Sequence, residues 1–227
     1  EADIAANENY DVEIDDDFRT YIQTTEVDSA SSSSFKAEFS IDETATVLQR
    51  TGESTAGLET RMHARYQDPE SDFIGMEVSL RLRNYGSSIT ARYVMSTCLD
   101  SSCDGEVYLP TTVSVVGDFT GDHTMEIALN DAMDSFDFSI DGVVIASKPI
   151  SDFTSDADLV AAGGYTFSPE HFVAVRFRAD VFNINNEGES GLLTVHMDKF
   201  SIDGEVYDNF TAGRIDSSKW RYRAYEN

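Results

Sequence analysis

From Phe35 onward, apolar and polar residues alternate along most of the chain. Phe35, Ala37, Phe39 and Ile41 face one way and Lys36, Glu38 and Ser40 the other, the two-residue period of a half-buried strand. The period returns at Thr60, Met62, Ala64 and Tyr66, at Met76, Val78, Leu80 and Leu82, and at Ile89, Ala91, Tyr93 and Met95. Met125, Ile127 and Leu129 follow, then Phe136, Phe138 and Ile140. Val173, Val175, Phe177, Ala179 and Val181 predict a long inner strand, and Leu193, Val195 and Met197 another. Ser29 to Ser34 reads as a serine-rich turn. Asp141-Gly142 before Val143-Val144-Ile145 marks a tight hairpin, and Ile202-Asp203-Gly204 marks a further turn. No window holds a sustained 3.6-residue apolar period. The pattern predicts an all-β fold, an antiparallel two-sheet sandwich with almost no helix.

At 227 residues the chain suits one large sandwich better than two ordinary domains. Residues 1–9 are polar and expected to form a flexible tail, residues 10–207 the sandwich, and residues 208–227 a separate C-terminal segment. Nothing approaches 18 consecutive apolar residues, so no membrane span is expected. No basic-then-apolar leader is present, and Glu1-Ala-Asp-Ile4 suits a mature N-terminus.

Charge narrows the choice of partner. Forty-two acidic residues oppose 16 basic ones, a net charge of −26, which disfavours nucleic acid. Twelve of the basic residues are arginine and only four are lysine. This composition fits a marine or saline setting, several divalent-cation sites, or simply a strongly solvated acidic surface. Cys98 and Cys103 are too few for a metal site and are not spaced as CxxC. A small-loop disulfide at a strand end is expected, with an extracellular or cell-surface location; two reduced thiols are the alternative.

The segment Asp208-Asn-Phe210, Gly213, Ile215-Asp-Ser-Ser-Lys-Trp220 resembles the D-[DN]-F-x-x-G-x-[IL]-D-x-[ST]-K-W opening segment of bacterial concanavalin A-like (LamG-like) lectin and glucanase sandwich modules. Thr60–Tyr66, Gly75–Val78, Cys98 with Cys103, Asp137–Gly142 and Met197–Phe210 also come in the order such modules use. Similar modules occur in secreted proteins, sometimes as tandem copies. In them the segment precedes the first core strand. Here it ends the chain, while Glu8–Ile14 looks like the missing first strand. The resemblance therefore implies that Asp208, Phe210, Ile215, Trp220, Tyr222 and Tyr225 complete the sandwich of the next copy. The alternatives are a tail folded onto its own sandwich, or one repeat of a longer protein. The resemblance also implies a structural calcium ion, with Asp198 and Asp208 at the matching acidic positions. Such an ion needs six to eight oxygen ligands.

Glucanases of this family resemblance carry E-x-D-x-x-E on one strand. The nearest match, Glu13-Ile-Asp15-Asp-Asp-Phe18, replaces the third carboxylate and lacks the pair that retaining hydrolysis needs. The R-x-E-x-R and Q-[IV]-H strands of alginate-lyase-like members are absent as a set, and the four histidines show no metal spacing. A non-catalytic protein is therefore expected. Arg61, His63, Arg65, Arg81, Arg83, Arg92, Arg176 and Arg178 fall on the polar faces of four predicted strands. They form either a basic patch for carboxylated or sulfated glycans, or cross-strand ladders with Glu59, Glu77 and Asp180. A single tryptophan provides little ring-stacking surface for sugars. The leading expectation is a structural or adhesive protein assembled head to tail into a filament or tandem array. The alternative is a lectin-like module for anionic polysaccharide, with a lyase or glycoside hydrolase ranked third.

Overall fold

A computed structural model describes residues 2–9, 18–25, 32–49, 55–67, 74–114, 117–184, 188–211 and 215–226. In chain order the strands are β1 (Ala2–Asn9), β2 (Phe18–Thr24), β3 (Ser34–Ile41), β4 (Thr46–Leu48) and β5 (Gly57–Gln67). Then come β6 (Gly75–Asn84), β7 (Ile89–Cys98), β8 (Glu106–Ser114), β9 (Gly121–Leu129) and β10 (Ser135–Ile140). The last are β11 (Val143–Pro149), β12 (Phe172–Phe182), β13 (Ser190–Ile202), β14 (Glu205–Asp208) and β15 (Trp220–Glu226). Two five-residue helices, α1 (Ile150–Thr154) and α2 (Ala157–Ala161), follow β11.

Among the described residues the strands form two antiparallel sheets. The first runs β1-β13-β3-β9-β10-β11, with β4 and β14 also paired to β13. The second runs β15-β2-β12-β5-β6-β7-β8. Alternation fills the space between them. In β3 every second residue is buried, and Phe39 meets Phe177 of the opposite sheet at 5.0 Å between ring centroids. Tyr93 stacks on Phe138 at 4.9 Å in the same layer. The hairpin signals act as expected. Asp141 and Gly142 (φ 51° and 75°), and Asp203 and Gly204 (φ 50° and 80°), adopt the paired positive φ of a type I′ turn. Asp203 also accepts hydrogen bonds from the Ser33 and Ser34 amides, which ties its turn to the start of β3.

Several expectations change. Ala2–Asn9 is a strand paired along its length with β13, not a flexible tail. The expected first strand Glu8–Ile14 ends β1 at Asn9, and its remainder lies outside the described residues. A bulge between Phe172 and Ala174 turns Val173 outward, leaving it 47% exposed although its neighbours in the alternation are buried. β2 and β8 were not legible in the pattern. β8 is an edge strand with Pro110 at its middle and only Val107 fully buried, so little selection for alternation acts on it.

The C-terminal segment also departs from expectation. In the structure of one chain it completes its own sandwich, with β15 antiparallel to β2. The reason is local. Trp220 is 2% exposed and donates Nε1–H to Asp208 Oδ2 at 2.8 Å, and the Phe210 amide donates to Asp208 Oδ1 at 2.9 Å. The indole packs against Phe210, Tyr207 and Phe200 at 5.3–5.6 Å between centroids. Tyr207 Oη donates to the Lys219 carbonyl while Lys219 Nζ donates to the Tyr207 carbonyl. The two ends of the 208–220 excursion are thus pinned to each other and to the core. Ile215 is half-buried against that core, Tyr222 is exposed, and the Tyr225 side chain lies outside the described residues.

The Cys98–Cys103 disulfide expected from sequence is present and closes the β7–β8 connection. With a sequence separation of 5, its loop-closure effect is about 2 kcal/mol. The double variant Cys98→Ala/Cys103→Ala is expected to lower Tm by roughly 4–8 °C in thermal circular dichroism. An unchanged Tm in that variant rejects the disulfide as a stabilising clamp.

Candidate functional site

Antiparallel cross-strand partners share a face, so the register of the seven-stranded sheet sorts its side chains. The inner face carries Leu58, Thr60, Met62, Ala64 and Tyr66 of β5, all buried. The outer face carries Glu59, Arg61, His63 and Arg65. Arg61 stands opposite Arg178 on one side and Arg81 on the other, and Arg81 stands opposite Arg92. Arg176 neighbours His63, and Asp180 and Arg83 flank Glu59. The sequence-predicted arginines of four strands are thereby brought onto one surface. Sequence reasoning missed two more. Arg221 and Arg223 of β15 pair with Gln23 and Tyr21, which pair in turn with Arg176 and Arg178. The alternation in Trp220-Arg-Tyr-Arg-Ala224 is the signal that marks them.

The distribution is one-sided. All nine arginines whose side chains are described, the seven expected ones plus Arg221 and Arg223, lie on this face. None of the four lysines does: Lys36, Lys148 and Lys199 are on the other sheet, and Lys219 is in the turn before β15. Among the described residues four carboxylates share the arginine face, Glu59, Glu77, Glu106 and Asp180, so nine guanidinium groups oppose four acids there.

Those acids are unevenly used. Glu59, 1% exposed, pairs with Arg61 at 2.7 Å and with Arg83; Asp180 pairs with Arg178 at 2.9 Å and Arg61 at 3.4 Å. The ladder alternative therefore describes Arg61, Arg83 and Arg178. Burial alone would raise the Glu59 carboxyl, but Arg61, Arg81 and Arg83 outweigh it and hold the group at about 2. Among the described residues, Arg81, Arg92, Arg65 and Arg176 have no ion-pair partner within 4.0 Å. Arg81, 7% exposed, donates Nε only to Ser79 Oγ at 3.3 Å, and burial lowers its guanidinium to about 10 despite the pull of Glu59. Arg92 sits 5.3 Å over the Tyr108 ring and Arg176 5.4 Å over Tyr21, so aromatic faces orient these cations without neutralising them. Arg61, Arg81, Arg83 and Arg92, with Glu59 and Asp180, line a pit of about 580 Å³.

A second pit, of about 310 Å³, lies at the other end of β6 and is lined by Arg65, Gln67, Glu77, Ser96 and Glu106. Between the two, His63 Nδ1 meets Glu77 Oε1 at 2.9 Å, and His63 Nε2 is buried without a hydrogen-bond partner. Burial lowers the imidazole to about 4 in spite of Glu77, so His63 is neutral at physiological pH. Burial alone would raise the Glu77 carboxyl, but His63, Arg61 and Arg176 hold it well below the ordinary carboxylate range.

Of the two aspartates expected to hold calcium, Asp208 accepts one N–H at each carboxylate oxygen and Asp198 is exposed at a bulge of β13. Among the described residues no group of three or more His, Cys, Asp or Glu side chains converges on a common point.

No known family profile matches the sequence, and no curated protein matches it. Solved structures do resemble the fold. A glycoside hydrolase family 16 protein of a Bacteroides ovatus mixed-linkage-glucan locus, solved with a product, superposes at TM-score 0.45 with 13% identity, over 74% of this chain and 68% of that one. The Bacillus licheniformis β-glucanase superposes at 0.44 with 9% identity, over 73% and 64%. A marine family 7 alginate lyase of Zobellia galactanivorans superposes at 0.36 with 9% identity, over 80% and 65%. The two antiparallel sheets above make the chain a jelly-roll β-sandwich. The expectation of a non-catalytic chain is corrected at this point, because its structural neighbours are glycoside hydrolases and polysaccharide lyases. Among the described residues no helix is long and apolar enough to cross a membrane.

Proposed function

We propose that the outer face of the seven-stranded sheet binds an anionic carbohydrate, one bearing carboxylate or sulfate groups. The observation that carries this reading is the gathering of every described arginine on that face of a protein with a net charge of −26. Arginine suits the task because its planar fork donates two parallel N–H bonds to carboxylate or sulfate oxygens, which lysine does not. Arg81 and Arg92 are the best-placed contacts, since both line the larger pit without a carboxylate partner among the described residues. A disulfide in the same sheet supports a site of action outside the reducing cytoplasm.

Affinity electrophoresis through gels containing polygalacturonate, dextran sulfate or a neutral mixed-linkage β-glucan tests the proposal. Retardation by at least one anionic polymer and not by the neutral one is expected. Arg92→Gln is expected to weaken that binding roughly tenfold, the loss of one charge-assisted contact. Equal retardation by the neutral glucan, or none by either anionic polymer, overturns the reading. New reducing ends or new ultraviolet absorbance in the bound polymer would show that the site also cuts its ligand.

A further inference from the structure

The arginine face is not a patch centred on one pit. It is organised in rows that run across the strands. One row reads Arg223, Tyr21, Arg178, Arg61, Arg81, Arg92, taking one residue from each of β15, β2, β12, β5, β6 and β7. Five of its six positions are arginine. The parallel row begins Arg221, Gln23, Arg176, His63. Adjacent strands lie ~4.8 Å apart, so five intervals carry the first row over ~24 Å. Its outer end is supplied by the C-terminal strand, where Arg221 and Arg223 are exposed and have no ion-pair partner among the described residues.

We infer that the ligand is a linear polyanion lying perpendicular to the strands along this row, and that β15 forms part of the binding face. The inference rests on the proposed function and specifies its ligand as a chain rather than a single charged sugar. Two features favour a polysaccharide over nucleic acid. The row offers at most one cation per ~4.8 Å strand spacing, and fewer once Arg61 and Arg178 are paired with Glu59 and Asp180, whereas duplex DNA carries one charge per ~1.7 Å. A chain of net charge −26 also tolerates a sparsely charged partner better than a densely charged one. Between Arg223 and Arg178 the row passes Tyr21, which is 7% exposed and seated under Arg176.

The test compares the full chain with the double variant Arg221→Gln/Arg223→Gln and with Arg92→Gln. Each is titrated with polygalacturonate and dextran sulfate, with galacturonate and glucose 6-sulfate monomers, and with single-stranded oligo-dT, over a salt series. Because Arg221 and Arg223 are exposed, their loss should leave the thermal transition in place. The expected result is that the double variant binds the better anionic polymer roughly tenfold more weakly, with a salt dependence shallower by about one unit of log–log slope per arginine. Monomer binding should be unchanged in the double variant and weakened in Arg92→Gln. If the double variant keeps full polymer affinity and salt slope while Arg92→Gln loses both, the ligand is confined to the pit; this inference then falls and the proposed function stands. If the unaltered chain binds neither polymer, both fall. Oligo-dT binding as tight as that of either polymer overturns the carbohydrate assignment.

Discussion

Glu59→Gln is expected to destabilise the protein by about 3–5 kcal/mol at pH 7, the cost of removing one partner from a buried ion-pair set. Glu59 is 1% exposed and answers both Arg61 and Arg83, with Arg81 alongside. Without its charge, three guanidinium groups lie together with only Asp180 nearby to compensate. The same carboxylate shapes the response to acid. It is held at about 2 against an ordinary 4.5, so the folded chain stays ionised there after the unfolded chain has bound a proton. Its contribution, about 3 kcal/mol, is complete above about pH 5 and fades as pH falls through 4.5 toward 2. Urea unfolding from pH 7 to pH 2.5 should therefore show a shallower acid decline in Glu59→Gln than in the parent, with the remaining slope carried in part by Glu77. Parallel declines in the two proteins reject the ion-pair account. Anionic polymer binding by the folded variant should not weaken, because the face becomes more positive.

Trp220→Ala is expected to cost about 3–5 kcal/mol through lost packing against Phe200, Tyr207 and Phe210. For a chain of this length that lowers Tm by roughly 6–20 °C in circular dichroism. Trp220→Phe isolates the hydrogen bond, since it keeps a ring but leaves Asp208 Oδ2 without its indole donor. A drop of only a degree or two for Trp220→Ala means the C-terminal strand is not integral to the sandwich. Concentration dependence separates the remaining cases. A tail folded on its own chain gives a Tm independent of protein concentration, whereas a tail exchanged between copies gives one that rises with it. Trp220 is the sole tryptophan, so its fluorescence reports on the strand without a label.

Much of the sandwich was legible because a strand with one buried face must alternate. Phe35–Ile41, Met76–Leu82 and Phe136–Ile140 show it, and each is a strand with its apolar residues inward. β1 is not legible because Ala2–Asn9 shows no sustained alternation and pairs along one flank of β13; ladder hydrogen bonds form between main chains and leave no mark on side-chain pattern. β8 was missed for its shallow burial.

The candidate site divides in the same way. Sequence placed seven arginines on polar strand faces, since parity within a strand is a local property. It could not say whether they were cations with partners or cations without them. Strand order decided that: β5 lies between β12 and β6, which sets Glu59 against Arg83 and Asp180 and leaves Arg81 beside Arg92. The Asp208–Trp220 contact, between residues far closer in sequence than those strands, docked the last strand beside β2 and so extended the arginine row to the sheet edge. Amino-acid order thus determined the sandwich, the disulfide and the polar-face arginines, because all three depend on short-range periodicity or spacing. Only the tertiary structure determined which arginines remain uncompensated, and that Arg81, Arg92 and Arg223 share one line across six strands with the paired Arg61 and Arg178, because both depend on which strands become neighbours.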